Sequence, residues 1–200
     1  MTEPADADVD GDYARVDWEY EEFDGRSFVR CRFDDARLSE ITTRQCVFEE
    51  CDFSGTRLAS SVHEGSAFLR CRFRRSNLFD ATFHDCKMTG SQFGAAVVRP
   101  IRIEGGDWSY VALRGAELAG IDLSGVRLAE ADLTDADLSG VQFAGADLSH
   151  TRLRSAKLKG ADLRGARTEA LDWLSIDIAG AYLDIGQAMQ FAAAHGAAFD

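Results

Sequence analysis

Broken into fives, residues 131–150 read ADLTD ADLSG VQFAG ADLSH. Leu133, Leu138, Phe143 and Leu148 fall in one column, and Ala131, Ala136, Val141 and Ala146 in another. An α-helix repeats every ~3.6 residues and a strand every ~2, so neither alone explains the spacing. Two inward-pointing residues in strand-like alternation, followed by a tight turn, do explain it. Four such sides close a square coil, and the 20 residues quoted make one full turn. Stacked coils then satisfy each other's backbone groups at the sheet spacing of about 4.8 Å.

The columns extend far beyond the quoted stretch. In steps of five from Trp18 to Leu183, 31 of 34 positions hold a large apolar residue, and only Thr43, His63 and Thr168 interrupt. Two residues earlier, from Val16 to Ala181, 27 of 34 positions hold Ala, Cys, Ser, Thr, Val or Gly. The register never slips, so no inserted loop is expected. The pattern resembles the pentapeptide-repeat family, whose motif stands almost verbatim in ADLTD, ADLSG, ADLSH and ADLRG. That resemblance implies an all-β solenoid, a right-handed quadrilateral β-helix, here about 40 Å long at ~4.8 Å per coil.

The ends depart from the pattern. Residues 1–15 are acidic and read as a disordered tail, residues 16–183 as the β-helix, and residues 184–200 as a C-terminal helix and tail. Glu21 and Arg26 stand at small-residue positions, so the first coil is expected to be frayed. Pro100, in the weakest repeat, predicts a locally irregular turn because proline fixes φ and lacks a donor. Asp184 followed by Gln187 is a helix-start signature, and Gly196 a stop. Ile185, Ala188, Met189 and Ala192 share one face at helical spacing. So short a helix needs a surface to pack on, either the last coil or a second copy.

Several chemistries are not supported. The five cysteines all lie in the small-residue column, with no CxxC pair, and read as buried reduced thiols. No cofactor or metal is expected. The recurrent glycines close pentads, with no lysine placed for a phosphate cradle. A convex rod offers little enclosure for acid–base work, so no enzyme is expected. His63, at a large-residue position, reads as a hydrogen-bonded core histidine. With no signal-peptide pattern and no apolar run of membrane length, a cytoplasmic protein is expected.

The chain carries a net charge of −12, which disfavours nucleic acid and anionic membranes as partners and favours basic ones. A strict period assigns each outward residue to a side of the square. The side centred on Phe23, Phe83, Ile103, Leu123 and Leu163 has eight acidic residues against Arg44, Arg102 and Arg164, a net of −5. The other three come to −2, −1 and +1. Asp24, Glu64, Glu104, Asp122, Asp162 and Asp184 form the candidate partner-binding stripe. Such a rod could imitate the phosphate backbone that basic DNA-binding channels recognise.

Three further stretches, HEGSAFLRCRF, RPIRIEGGDW and LDIGQAMQFAAAHG following ALDW, resemble the MfpA/Qnr group of the family. That resemblance implies a dimer joined through the C-terminal helix, with Ile185, Ala188, Met189, Phe191 and Ala192 at the contact. It also implies binding to DNA gyrase by DNA mimicry, inhibiting supercoiling or protecting the enzyme from fluoroquinolones. Asp122, Asp162 and Asp184 would then lie nearest the enzyme's two-fold axis. The competing reading is a scaffold or adaptor for an unrelated protein, using the exposed Phe79 or Phe199.

Overall fold

The computed structural model describes residues 7–199. Every residue whose number is a multiple of five, from Asp10 to Ala170, has φ between 49° and 75°, except Pro100. The left-handed region is what turns the chain at each corner. It costs roughly 1–2 kcal/mol for a residue with a Cβ and almost nothing for glycine. Hence glycine recurs at this position in the C-terminal half.

Between corners the chain is extended and pairs in parallel with the residue 20 positions on. Strands β1 (Asp8–Val9), β3 (Ser27–Val29), β5 (Val47–Glu49) and β7 (Ala67–Leu69) form one sheet. A second contains β2 (Glu22–Asp24), β4 (Thr42–Arg44), β6 (Val62–Glu64), β8 (Ala81–His84) and β9 (Ile101–Glu104). The remaining pairs are single bridges, such as Asp132↔Arg152 and Asp162↔Tyr182, so the coil continues where strands are too short to name. Each pentad donates both ways. The Asp132 N–H reaches the Val111 carbonyl at 2.9 Å, and the Leu133 N–H reaches that of Arg152 at 2.9 Å.

The large-residue column fills the interior. Phe33, Phe53, Phe73 and Phe93 stack face to face with centroids 4.9, 5.0 and 4.8 Å apart, which is the sheet spacing measured through side chains. The small column makes its own ladder. Cys31, Cys46, Cys51, Cys71 and Cys86 are buried free thiols, and each Sγ donates to the carbonyl 23 residues earlier, as Cys86 does to His63 at 3.2 Å. Thr56, Ser91 and Thr151 donate their hydroxyls in the same way. Small residues with one hydrogen to give suit this position, and burial pushes the Cys86 thiol up to about 12.

The coil begins earlier than the expected boundary at residue 16. Residues 8–15 belong to the coil. Asp8 and Val9 pair with Phe28 and Val29, Asp12 bridges Arg32, and Tyr13 stacks on Phe33 at 5.2 Å. Tyr13 thus extends the large column, and its hydroxyl donates to the Asp8 carboxylate. The expected disorder of residues 1–6 lies outside the described residues. Arg26 closes the end expected to fray, its guanidinium 4.6 Å from the Phe23 ring centroid and 4.7 Å from that of Phe28. At the other end a 3-10 turn, Trp173–Ser175, breaks the pentads, and Leu171, Trp173 and Ile176 are buried as a plug. Helix α1, Ile185–Ala194, follows with the expected capping box of Asp184 and Gln187.

Pro100 has a larger effect than an irregular turn. A proline cannot take positive φ, so this one corner is built differently, across a cis Arg99–Pro100 peptide. Beyond it the ladder opens on the two adjoining sides. The Gln92↔Ala112 and Asp107↔Arg127 bridges form, but among the described residues none joins Val97 to Glu117 or Arg102 to Asp122.

Two of the three interruptions of the large column answer each other. Thr43 and His63 are in register on neighbouring coils, and Thr43 Oγ1 lies 2.8 Å from His63 Nδ1. His63 Nε2 is 3.0 Å from Ser61 Oγ, whose own proton goes to the Leu58 carbonyl at 2.8 Å. Ser61 must therefore accept, which fixes the proton on Nε2 and makes Nδ1 the acceptor for Thr43. The ring also stacks on Phe83 at 4.7 Å. Neither ring nitrogen bonds an acidic side chain among the described residues, and burial lowers the pKa from 6.5 to about 3. The unfolded chain then binds a proton that the native one refuses, so this stability is full above pH ~6.5 and lost as pH falls toward ~3. His63→Leu keeps Thr43 bonded to Ser66 and removes the titration. Urea unfolding at pH 7 and pH 4.5 should show the variant gaining about 2–3 kcal/mol on the parent between the two. An unchanged difference would mean that the histidine titrates normally.

Candidate functional site: an uncompensated acidic face

The strict register stacks outward residues in columns along the rod, and on two sides long runs of these columns alternate in sign. Asp12, Arg32, Asp52 and Arg72 alternate down one side, joined by the Arg32–Asp12 pair at 3.3 Å and the Arg72–Asp52 contact at 4.0 Å. Asp107, Arg127, Asp147 and Arg167 alternate down the next, with contacts of 3.9, 3.9 and 3.5 Å. The third is mixed: Arg37 pairs with Asp17 at 3.2 Å and Lys157 with Asp137 at 3.6 Å, but Arg37 is in register with Arg57 and Glu117 with Asp137. Each exposed pair contributes little to stability, about 0–1 kcal/mol. Together they leave these sides close to electrically neutral.

The fourth side lacks that alternation in one of its two columns. Glu22, Thr42, Val62, Thr82 and Arg102 are in register through β2 to β9, and Asp122, Gln142, Asp162 and Tyr182 continue them. The other column runs Asp24, Arg44, Glu64, His84, Glu104, with Asp184 further along the same side. All six expected stripe residues therefore lie on one side of the rod, but they are not equivalent.

Two of them have arginine partners. Arg44 bonds Glu22 at 2.9 Å and reaches Glu64 at 3.4 Å. Arg164 forms a fork on Asp162, with contacts of 2.9 and 2.6 Å, and this holds the Asp162 carboxyl below the usual range. Asp184 is occupied as the helix cap, accepting from the Gln187 N–H at 3.0 Å and from the Gly165 N–H at 3.1 Å. These bonds, led by that from Gln187, lower its pKa. Asp24 and Asp122 have no cationic partner among the described residues, and Glu104 has only His84, at 3.2 Å. Ser124, through its hydroxyl and its backbone N–H, lowers the Asp122 pKa. Asp85, counted among the eight acidic residues of this side but not in the expected stripe, lies 3.5 Å from His84 on the same edge. The uncompensated charge thus gathers at Asp85, Glu104 and Asp122, in the middle of the rod.

The helix presents two faces. Its inner face is held by Gln187, buried, whose amide nitrogen donates to the Leu163 and Ala166 carbonyls at 2.6 and 3.1 Å, closing the end of the ladder. Phe191 belongs here as well, edge-on to Trp173 at 6.2 Å and packed on the core, so it is drawn away from the outward face expected of it. Ala192 is half-buried and Ala188 exposed. Ile185, 81% exposed, and Met189, 44% exposed, are the exposed large apolar residues of the helix.

No group of three or more His, Cys, Asp or Glu among the described residues could hold a metal ion, and no helix there is long and apolar enough to cross a membrane.

Comparison with known proteins agrees with this geometry. Eight copies of the repeat described as "Pentapeptide repeats" match residues 27–61, 64–93, 109–143 and 131–167. The pentapeptide repeat protein MfpA of Mycobacterium tuberculosis is 44% identical over 83 residues, 42% of this chain and 43% of that protein. The solved structure of a trypsin-treated variant of QnrB1, a plasmid-mediated fluoroquinolone resistance protein, superposes with a TM-score of 0.85 at 25% identity, covering 97% of each chain. Full-length QnrB1 shares the fold, with a TM-score of 0.84 at 23% identity over 96% of this chain and 97% of that one. The five-residue period, the four-sided coil and these matches establish that the chain belongs to the pentapeptide-repeat family, within its MfpA/Qnr group.

Proposed function

We propose that the protein is a DNA-mimicking binder of DNA gyrase that inhibits supercoiling or protects the enzyme from fluoroquinolones. The observation that carries this reading is directional charge. Two sides of the rod alternate in sign and a third is mixed, whereas on the fourth Asp85, Glu104 and Asp122 have no arginine or lysine partner among the described residues. A rod with carboxylates along one side can occupy a channel lined by Lys and Arg for DNA phosphates. The similarity to QnrB1, a plasmid-mediated fluoroquinolone resistance protein, supports the same class of target. The chemistry is binding, without a catalytic step, and the partner is gyrase rather than nucleic acid.

The second element is a homodimer, in which the outward face of α1 meets its copy through Ile185 and Met189, with Ala188 and Ala192 at the margin. Two rods joined there would be about 80 Å long at ~4.8 Å per coil, enough to present the face on both sides of a two-fold symmetric enzyme.

Two measurements follow. Titrated into a gyrase supercoiling assay with and without a fluoroquinolone, the protein should inhibit or protect, and Glu104→Lys/Asp122→Lys should abolish either effect. Asp162→Asn should keep most of it, because Arg164 already neutralises that carboxylate. Absence of any effect at micromolar protein would reject gyrase as the target. In light scattering, Met189→Asp should shift the mass from dimer to monomer while the circular dichroism of the coil is retained. A dimer that survives the charge would reject the helix contact.

A further inference from the structure

The opening beside Pro100 is a place where backbone groups that are paired in every neighbouring coil stand unpaired. By the regular pattern the Asp122 N–H would reach the Ile101 carbonyl, and the Ile103 N–H that of Asp122. Neither bond forms. Corner glycines report the same separation. A Cβ on Gly140 or Gly145 would touch the preceding coil at 3.9 Å, whereas one on Gly120 or Gly125 would meet nothing within 4 Å. The space between is a cleft of about 710 Å³, lined by β9, His84, Asp85, Gly120, Ile121, Asp122 and Ser124. β9 is therefore paired to β8 on one edge and free on the other.

A free strand edge is a template for another strand, with main-chain bonds giving affinity and flanking side chains giving choice. Around this edge the charges are Asp85, Glu104 and Asp122 against Arg102. We propose that the cleft is a strand-docking site for an extended, lysine- or arginine-bearing segment of a protein partner, which pairs with the free edge of β9 and sets its cations against those three carboxylates. The inference goes beyond the acidic face as a mimic of phosphates. It needs backbone pairing at one coil, which charge mimicry does not.

The probe is a blocked, fluorescein-labelled octapeptide of alternating Lys and Val, followed by anisotropy and by hydrogen exchange of the protein. It should bind and slow exchange at the Ile103 and Asp122 amides. The same peptide N-methylated on alternate residues keeps its charge but cannot complete the ladder, and should bind about tenfold or more weakly. A Glu–Val peptide should fail as well. Pro100→Gly lets the corner take the left-handed conformation and close on the next coil with every acidic residue in place. It should weaken binding of the Lys–Val peptide by about tenfold or more.

Equal binding of the N-methylated peptide, protection mapped elsewhere, or no binding at all would overturn the proposal. Should Pro100→Gly fold poorly, the N-methylated comparison on the parent protein decides alone. Because Pro100→Gly leaves the acidic face intact, its effect on peptide binding is separable from any effect on gyrase.

Discussion

A chain that turns a right angle every five residues must put one residue per pentad in the left-handed region, and this protein does so from Asp10 to Ala170 with a single exception. That requirement sets the inward pairs, the coil of four sides and the alignment of each residue with the one 20 positions away. Alignment in turn governs much of the surface, because many outward side chains meet a partner along the rod, 20 residues away. Where proline forbids the conformation, at residue 100, the ladder opens on both adjoining sides. The strained corner is thus what the stack depends on. The stacked aromatic rings and the hydroxyl and thiol ladder are consequences of the coil spacing it imposes.

The fold was legible in the sequence because a period of five has few physical solutions. The same regularity let outward residues be assigned to sides, and all six expected acidic residues share one face. What the period could not supply was the pairing of individual charges. Arg164 lies two residues from Asp162, the same-face spacing of an extended chain, so that pair carried a readable signal. The commitment of Asp184 to the helix cap was also readable, since it had been recognised as a cap. Asp85, a corner residue outside the two columns flanking the apolar residue, was assigned to this side from the period but was not placed in the stripe.

The ends were less legible for physical reasons. Asp8 occupies a large-residue position, and a carboxylate there reads as a break until the Tyr13 hydroxyl is seen to satisfy it. The N-terminal boundary was therefore placed too late. At the helix, an apolar stripe suggested a single buried or dimeric face. In the structure a polar side chain does the inward work, because the last coil leaves carbonyls exposed that only a donor such as Gln187 can satisfy. Phe191 follows it inward, and the stripe is divided between two roles.

The alternating aspartates and arginines on two sides of the rod bear on how such a chain finds its proper pairing at all. Near-identical pentads offer many ways to stack, and hydrophobic packing hardly distinguishes a coil from the one after it. If the Asp12 coil skipped its neighbour and settled on the next, Asp12 would face Asp52. Skipping from Arg32 would bring that residue against Arg72, and from Asp107 against Asp147. Like charges placed directly opposite are destabilising, and the penalty would repeat on more than one side of the mispaired stack. Pairs worth little to the finished rod therefore act as an addressing code during folding, telling each coil which neighbour is its own.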